Sequence, residues 1–215
     1  MKVALIGATG FIGSQVLNEL LARDHEVTAI ARNTDKIEVK DEKIKAVSVD
    51  ITNTEALTKV LRGNSMVVCS FNAGWDNPNL YDDYLEGYES IQTAVRAANI
   101  RRFFVVGNAG TLYIGGTQLV DTNDFPKEMK DGARASRDLF DRLRRETYLD
   151  WVYLSPATEM NENIVSERTG RFRIGRDEPI MKDGISSISV QDLAIVVADE
   201  VDNRKHSRQQ FTVGY

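Results

Sequence analysis

Gly7-Ala8-Thr9-Gly10-Phe11-Ile12-Gly13 follows an apolar run, Val3 to Ile6, and leads into Val16, Leu17, Leu20 and Leu21, which recur at helical spacing. Strand, glycine turn and helix in that order make a phosphate cradle. The first glycine permits the tight turn, the second lets a pyrophosphate approach the backbone, and the third lets the helix pack closely on the sheet. The start of the helix then offers free N–H groups and the positive end of its dipole to the phosphates. The stretch therefore predicts that Gly7, Thr9, Gly10, Phe11, Ile12 and Gly13 bind a dinucleotide.

Outward from this loop, apolar strand runs alternate with helical periodicity. Strands are predicted at Val3–Ile6, Glu26–Ala31, Ile44–Val49, Met66–Ser70, Phe103–Gly107, Trp151–Ser155 and Gln210–Val213. Their nearly unbroken apolarity suits strands buried on both faces. Helices are predicted from Ile12, at Thr54–Leu61 with Thr52 or Asn53 as cap and Gly63 as stop, at Tyr81–Ala98, at Gly132–Tyr148, and at Val190–Asp202 with Asp192 matching the helix dipole. The alternation implies an α/β fold: a doubly wound parallel sheet of the NAD(P)-binding Rossmann type, in one domain over residues 1–215. Residues 157–189, with a strand-like stretch at Arg171–Ile174, read as a small substrate-side cap at the carboxyl end of the sheet.

A net charge of −5 argues against a nucleic-acid partner. The lone cysteine, Cys69, sits in an apolar run and reads as a buried hydrophobe, and two histidines with it give no metal-site spacing. The start of the chain has no signal-peptide pattern, and no apolar run is long enough to span a bilayer. The expected setting is the cytoplasm, with no metal and no membrane, as a monomer or homodimer.

An acid at the end of the second strand would grip the adenosine ribose of NAD. The chain has Arg32 there, and a guanidinium suits a 2′-phosphate, so NADP is expected, with NAD possible. A surface arginine with no ligand is the competing reading. Asp50 and Ile51, at the end of the third strand, suit the adenine, unless Asp50 only caps a helix. Ser70, Phe71 and Asn72 after the fourth strand, Gly107 and Asn108 after the fifth, and Ser155 and Pro156 after the sixth complete the cofactor side. Trp75, Thr111, Tyr113 and Met160 lie in the same loops and are assigned to the substrate side. For Trp75 and Tyr113, packing within their own loops competes with that role.

Gly7–Gly13, together with Ile188-Ser189-Val190-Gln191-Asp192-Leu193-Ala194, resembles the atypical, or extended-type, short-chain dehydrogenase superfamily over essentially the whole chain. Within it, Ala31-Arg32-Asn33, Val106 to Gly110 and Leu154 to Ala157 look most like the NAD(P)H-flavin reductases. That group is similar to the biliverdin reductase B type and to NmrA-like proteins. Better-known members of the superfamily carry Tyr-x-x-x-Lys, whose tyrosine is the general acid or base. Here the residues four positions after Tyr81, Tyr84, Tyr88, Tyr113, Tyr148 and Tyr153 are Leu85, Tyr88, Gln92, Thr117, Val152 and Ala157, and Tyr215 ends the sequence. No obligatory catalytic residue is therefore assigned.

Hydride transfer to a flavin needs no protein acid, because the acceptor's own nitrogens take up charge and exchange protons with water. The resemblance implies an NADPH-dependent oxidoreductase acting on a flavin or another planar acceptor, such as a quinone or tetrapyrrole. Two alternatives stand beside it: a non-catalytic NADP-sensing regulator of the NmrA-like kind, and a sugar-nucleotide epimerase or dehydratase with relocated acid and base groups.

Overall fold

The computed structural model describes residues 1–160 and 167–215. In chain order, β1 (Lys2–Ile6), α1 (Phe11–Ala22), β2 (Glu26–Ala31), β3 (Ile44–Ser48), α2 (Thr54–Leu61), β4 (Met66–Cys69), α3 (Leu80–Ala97) and β5 (Arg102–Val106) form the first half. A hairpin of β6 (Tyr113–Ile114) and β7 (Thr117–Gln118), then α4 (Lys130–Arg144), β8 (Asp150–Ser155), β9 (Arg173–Gly175), α5 (Val190–Asn203) and β10 (Gln209–Gly214) complete it.

The main sheet has eight strands in the order β3-β2-β1-β4-β5-β8-β10-β9. All its pairs are parallel except β10 with β9. β1, β4 and β5 are buried almost throughout, as a sheet covered on both faces requires. α1 and α5 pack together on one face; α2, α3 and α4 cover the other. The strand order reverses beside β1, and the carboxyl edge at that switch point is where doubly wound sheets bind ligands.

Several boundaries differ from the sequence expectation. Ser70 and Gly107 are the first residues of their loops, although their N–H groups still donate to Ile6 and Leu154 of the neighbouring strands (3.0 and 2.8 Å). α4 begins and ends earlier than Gly132–Tyr148; beyond its end the Glu146 carboxylate turns the chain by accepting from the Tyr148 and Leu149 N–H groups (2.6 and 3.2 Å). Asn53, not Thr52, caps α2 by accepting from the Ala56 N–H. The strand-like stretch at Arg171–Ile174 becomes β9 at Arg173–Gly175, and it extends the main sheet antiparallel to β10. Arg102 is buried, paired to Glu200 at 2.6 Å and to Asp150 at 2.8 Å.

Asp192 does more than match a dipole. Its buried carboxylate accepts from the Thr169 and Gly170 N–H groups (2.9 Å each), the Thr169 hydroxyl and the Tyr215 hydroxyl (2.7 Å). Burial pushes its carboxyl pKa up, but the bonds from Thr169, Gly170 and Tyr215 outweigh that and hold it below the ordinary value. A depressed pKa stabilises the fold above the unfolded value, roughly pH 4, and that stabilisation is lost as pH falls through the folded value. We expect Asp192→Asn to lower the melting temperature by several degrees at pH 7, at about 2–4 °C per kcal/mol for a domain of this size. The deficit should shrink toward pH 3; a deficit independent of pH would mean the charge is not what binds the loop.

Candidate functional site

Each glycine of the first loop has a distinct task. Gly7 has φ +83°, and a Cβ there would lie 2.8 Å from the Ser70 carbonyl oxygen. At Gly13 a Cβ would lie 2.0 Å from the Gly7 carbonyl oxygen and 2.8 Å from Ser70 Oγ. Both are packing glycines that let α1 press onto the β1 and β4 ends. Gly10 differs: a Cβ there meets only the Gly7 carbonyl oxygen, at 3.4 Å, and otherwise points into open space. Gly10 also offers no side-chain cap to α1. The N–H groups of Phe11, Ile12 and Gly13 therefore have no acceptor among the described residues. An open cradle with uncapped donors fits a pyrophosphate. Phe11 and Thr9 lie at its rim, while Ile12 turns toward the α1 core.

The residues expected at the adenosine end lie beyond the β2 and β3 termini. The Arg32 side chain is exposed, while its carbonyl accepts from Ser48 Oγ at 2.8 Å. Asp50 lies close enough for Arg32 to help hold its carboxyl pKa down, though the larger causes are the Thr52 N–H and hydroxyl, at 3.0 and 2.8 Å. One Asp50 oxygen thus serves a local turn and the other is left outward. Ile51 is buried, and its side chain and Phe71 both press on Gly87 of α3. Phe71 in turn stacks on Tyr84 with centroids 6.1 Å apart.

The third group of loops mixes surface and core. Asn72 is exposed and closes its own turn by accepting from Gly74 N–H. Trp75 is half exposed, with its ring laid on Gly132 at the start of α4. Gly107 is held to glycine by the Tyr153 ring, which a Cβ would meet at 2.0 Å. Asn108 is half-buried. Thr111 and Ser155 are fully buried and bonded to each other at 2.7 Å, so both lie beneath the cleft floor. Pro156 is buried beside them in sequence; Met160 packs toward the α1–α5 core. Tyr113 is half-buried in the hairpin, its N–H donating to the Asp177 carbonyl at 2.7 Å.

A concavity of about 550 Å³ lies at the opposite, amino-terminal edge, among Lys2, Glu26, Lys43, Lys45 and Arg62. It is an open charged groove without the backbone cradle that marks the candidate site at the carboxyl edge.

Residues 7–204, from the first glycine of that cradle to the residue just past α5, match a family model described as NAD(P)H-binding. The chain belongs to the NAD(P)H-binding family. With it goes membership of the atypical short-chain dehydrogenase superfamily that the motifs resemble. The chain is 33% identical to the uncharacterized protein YwnB of Bacillus subtilis over 99% of its own length and 98% of that protein's. Its structure is similar to that of a Bacteroides thetaiotaomicron protein with the working description of an epimerase (TM-score 0.91, 38% identity, 100% and 96% of the two chains). A Streptococcus pneumoniae protein with the working description of an NADH-flavin reductase is also similar (TM-score 0.86, 32% identity, 100% and 99%). In this NAD(P)H-binding fold no helix among the described residues is long and apolar enough to cross a membrane.

The residues that reading the sequence missed are Ser48, Ser136, Tyr153 and Gln210. Ser136, Tyr153 and Gln210 act from beneath the loops and Ser48 from the exposed β3 edge, and only the folded sheet brings them to their partners.

Proposed function

We propose that this chain is an NADPH-dependent reductase that passes hydride to a flavin or another planar acceptor, such as a quinone or tetrapyrrole, in the cytoplasm. One observation carries the reading: six of the seven tyrosine hydroxyls, all but that of Tyr113, are already engaged. Tyr81 is bonded to Asp138, Tyr84 to Ser136, Tyr88 to the Phe71 carbonyl, Tyr148 to Asn99, Tyr153 to Ser136 and Tyr215 to Asp192. Burial pushes the phenols of Tyr84, Tyr88 and Tyr153 up, Tyr153 to about 12, and the Asp138 carboxylate raises that of Tyr81. Cys69 is equally unsuited to proton transfer, since burial pushes its thiol up to about 11. A reaction that needs no acid from the protein suits such a site.

When bound, the reduced nicotinamide supplies the hydride. The chain's own part is to bind and to orient. The Gly10 cradle takes the pyrophosphate, Arg32 the 2′-phosphate, and Asp50 and Ile51 the adenine. Phe71, Asn108 and Pro156 flank the nicotinamide half, and Trp75 offers a flat apolar face to the acceptor. Orientation of two planar reactants supplies much of the barrier reduction.

The epimerase reading is favoured by one feature. Tyr113 is the tyrosine whose hydroxyl has no partner among the described residues, and a free phenol in the β6–β7 hairpin beyond β5 is a potential acid.

The test is an NADPH-oxidation assay against FMN, FAD, quinones and biliverdin, with NADH in parallel. Turnover with at least one planar acceptor is expected. Tight NADP binding with no turnover of any acceptor would point instead to an NADP-sensing regulator.

A further inference from the structure

We propose that Gln210 is a positioning residue for the nicotinamide half of the cofactor. The inference rests on the reading above that Asn108 and Pro156 flank that half; Thr111 and Ser155 lie beneath those two residues' loops. Gln210 lies on β10, outside every loop at the carboxyl edge. Its Nε2 donates to Thr111 Oγ1 at 2.9 Å and to Ser155 Oγ at 2.8 Å. Those two hydroxyls lie 2.7 Å apart, and Thr111 Oγ1 is 2.9 Å from the Asn108 carbonyl oxygen. The cluster ties the loop after β5 and the end of β8 to one side chain of a third strand.

Every proton in this cluster has a forced direction. The Asn108 carbonyl can only accept and the Gln210 amide NH₂ can only donate. Thr111 must therefore give its proton to Asn108, and Ser155 must give its proton to Thr111. With the opposite amide orientation both hydroxyls would donate to Gln210, leaving the Thr111–Asn108 and Thr111–Ser155 contacts without a proton. Thr111 and Ser155 are fully buried, so no water substitutes for the amide. Thr212, two residues along the same strand, adds a bond from its hydroxyl to the Ser155 carbonyl at 2.7 Å.

Asn108 is the residue that this arrangement fixes. Its N–H faces the Tyr153 hydroxyl at 3.3 Å, its carbonyl accepts from Thr111, and its Oδ1 accepts from the Gly110 N–H at 2.8 Å. Only its Nδ2 has no partner among the described residues, which leaves one oriented donor for a ligand. Without Gln210, Thr111 loses the donor that holds its hydroxyl toward Asn108.

The experiment compares two ligands that differ only in the nicotinamide: NADP⁺ and 2′-phospho-ADP-ribose. Gln210→Leu and Thr111→Val are titrated with both beside the wild type, with Thr111→Ser as the conservative rescue. Losing one oriented hydrogen bond to a ligand corresponds to about tenfold in affinity, so we expect about tenfold weaker NADP⁺ binding in both variants. 2′-phospho-ADP-ribose should change by less than about twofold, and Thr111→Ser should behave as wild type. The fall in kcat should exceed any rise in KM. If Gln210→Leu does not fold, Thr111→Val makes the same test while preserving volume. Equal weakening of both ligands, or no change in either, overturns the proposal. A wild type that binds the two ligands equally removes these loops from the nicotinamide half, and so overturns the assignment on which the proposal depends.

Discussion

Gly10→Val is expected to leave the fold intact and to remove most dinucleotide binding. The valine branches enter the open space above the loop, where the Gly10 Cβ direction meets nothing closer than the Gly7 carbonyl oxygen at 3.4 Å. The protein itself has no objection to the side chain, but a pyrophosphate approaching the Phe11, Ile12 and Gly13 N–H groups does. The expected loss is at least about 100-fold in affinity, roughly 2.7 kcal/mol, with an unchanged circular dichroism spectrum. Gly13→Ala should do the reverse. Its Cβ would fall 2.0 Å from the Gly7 carbonyl oxygen, so it should destabilise the fold before any question of binding arises. A Gly10→Val protein that keeps its NADPH affinity would remove the loop from the phosphate site.

Arg32→Ala carries the second large effect. Arg32 is exposed and has no ion-pair partner among the described residues, while the Ser48 hydroxyl holds its carbonyl at 2.8 Å. A charge-assisted contact to a 2′-phosphate contributes about 1.5–3 kcal/mol, so NADPH binding should weaken roughly 10–150-fold. NADH lacks that phosphate and should be nearly unaffected. The loss should also diminish at high salt, because the contact is solvent-exposed. The similar Streptococcus pneumoniae protein is described in terms of NADH, which makes the parallel titration informative. Equal wild-type affinities for NADPH and NADH would contradict the role given to Arg32.

The parts legible in the sequence were those governed by short-range patterns. The glycine loop could be read because strand, turn and helix sit side by side in sequence. The sheet could be read because burial on both faces leaves unbroken runs such as Met66 to Cys69. The β6–β7 hairpin was missed although Gly115-Gly116 carries a two-residue turn signal; both glycines have positive φ, 58° and 82°. Its strands are two residues each, too short for alternation to register. The direction of loop side chains was the other unreadable feature. Thr111 belongs to a loop at the ligand edge, yet its hydroxyl points down to Ser155 and Gln210, whose neighbours are set by pairing of β8 with β10. Asp192 looked like a helix-dipole acid because its donors, Thr169 and Tyr215, are remote in sequence.

The most direct test of a reductase that needs no acid from the protein is single-turnover oxidation of NADPH by FMN in wild type and Tyr113→Phe. General acid catalysis contributes ~10²–10⁴-fold, so loss of a true proton donor would be unmistakable. The expected rate is within about tenfold of wild type, or roughly 1.4 kcal/mol of barrier. A fall of ~10³-fold with unchanged NADPH affinity would contradict it and make Tyr113 the acid of a carbonyl-reducing or epimerising site.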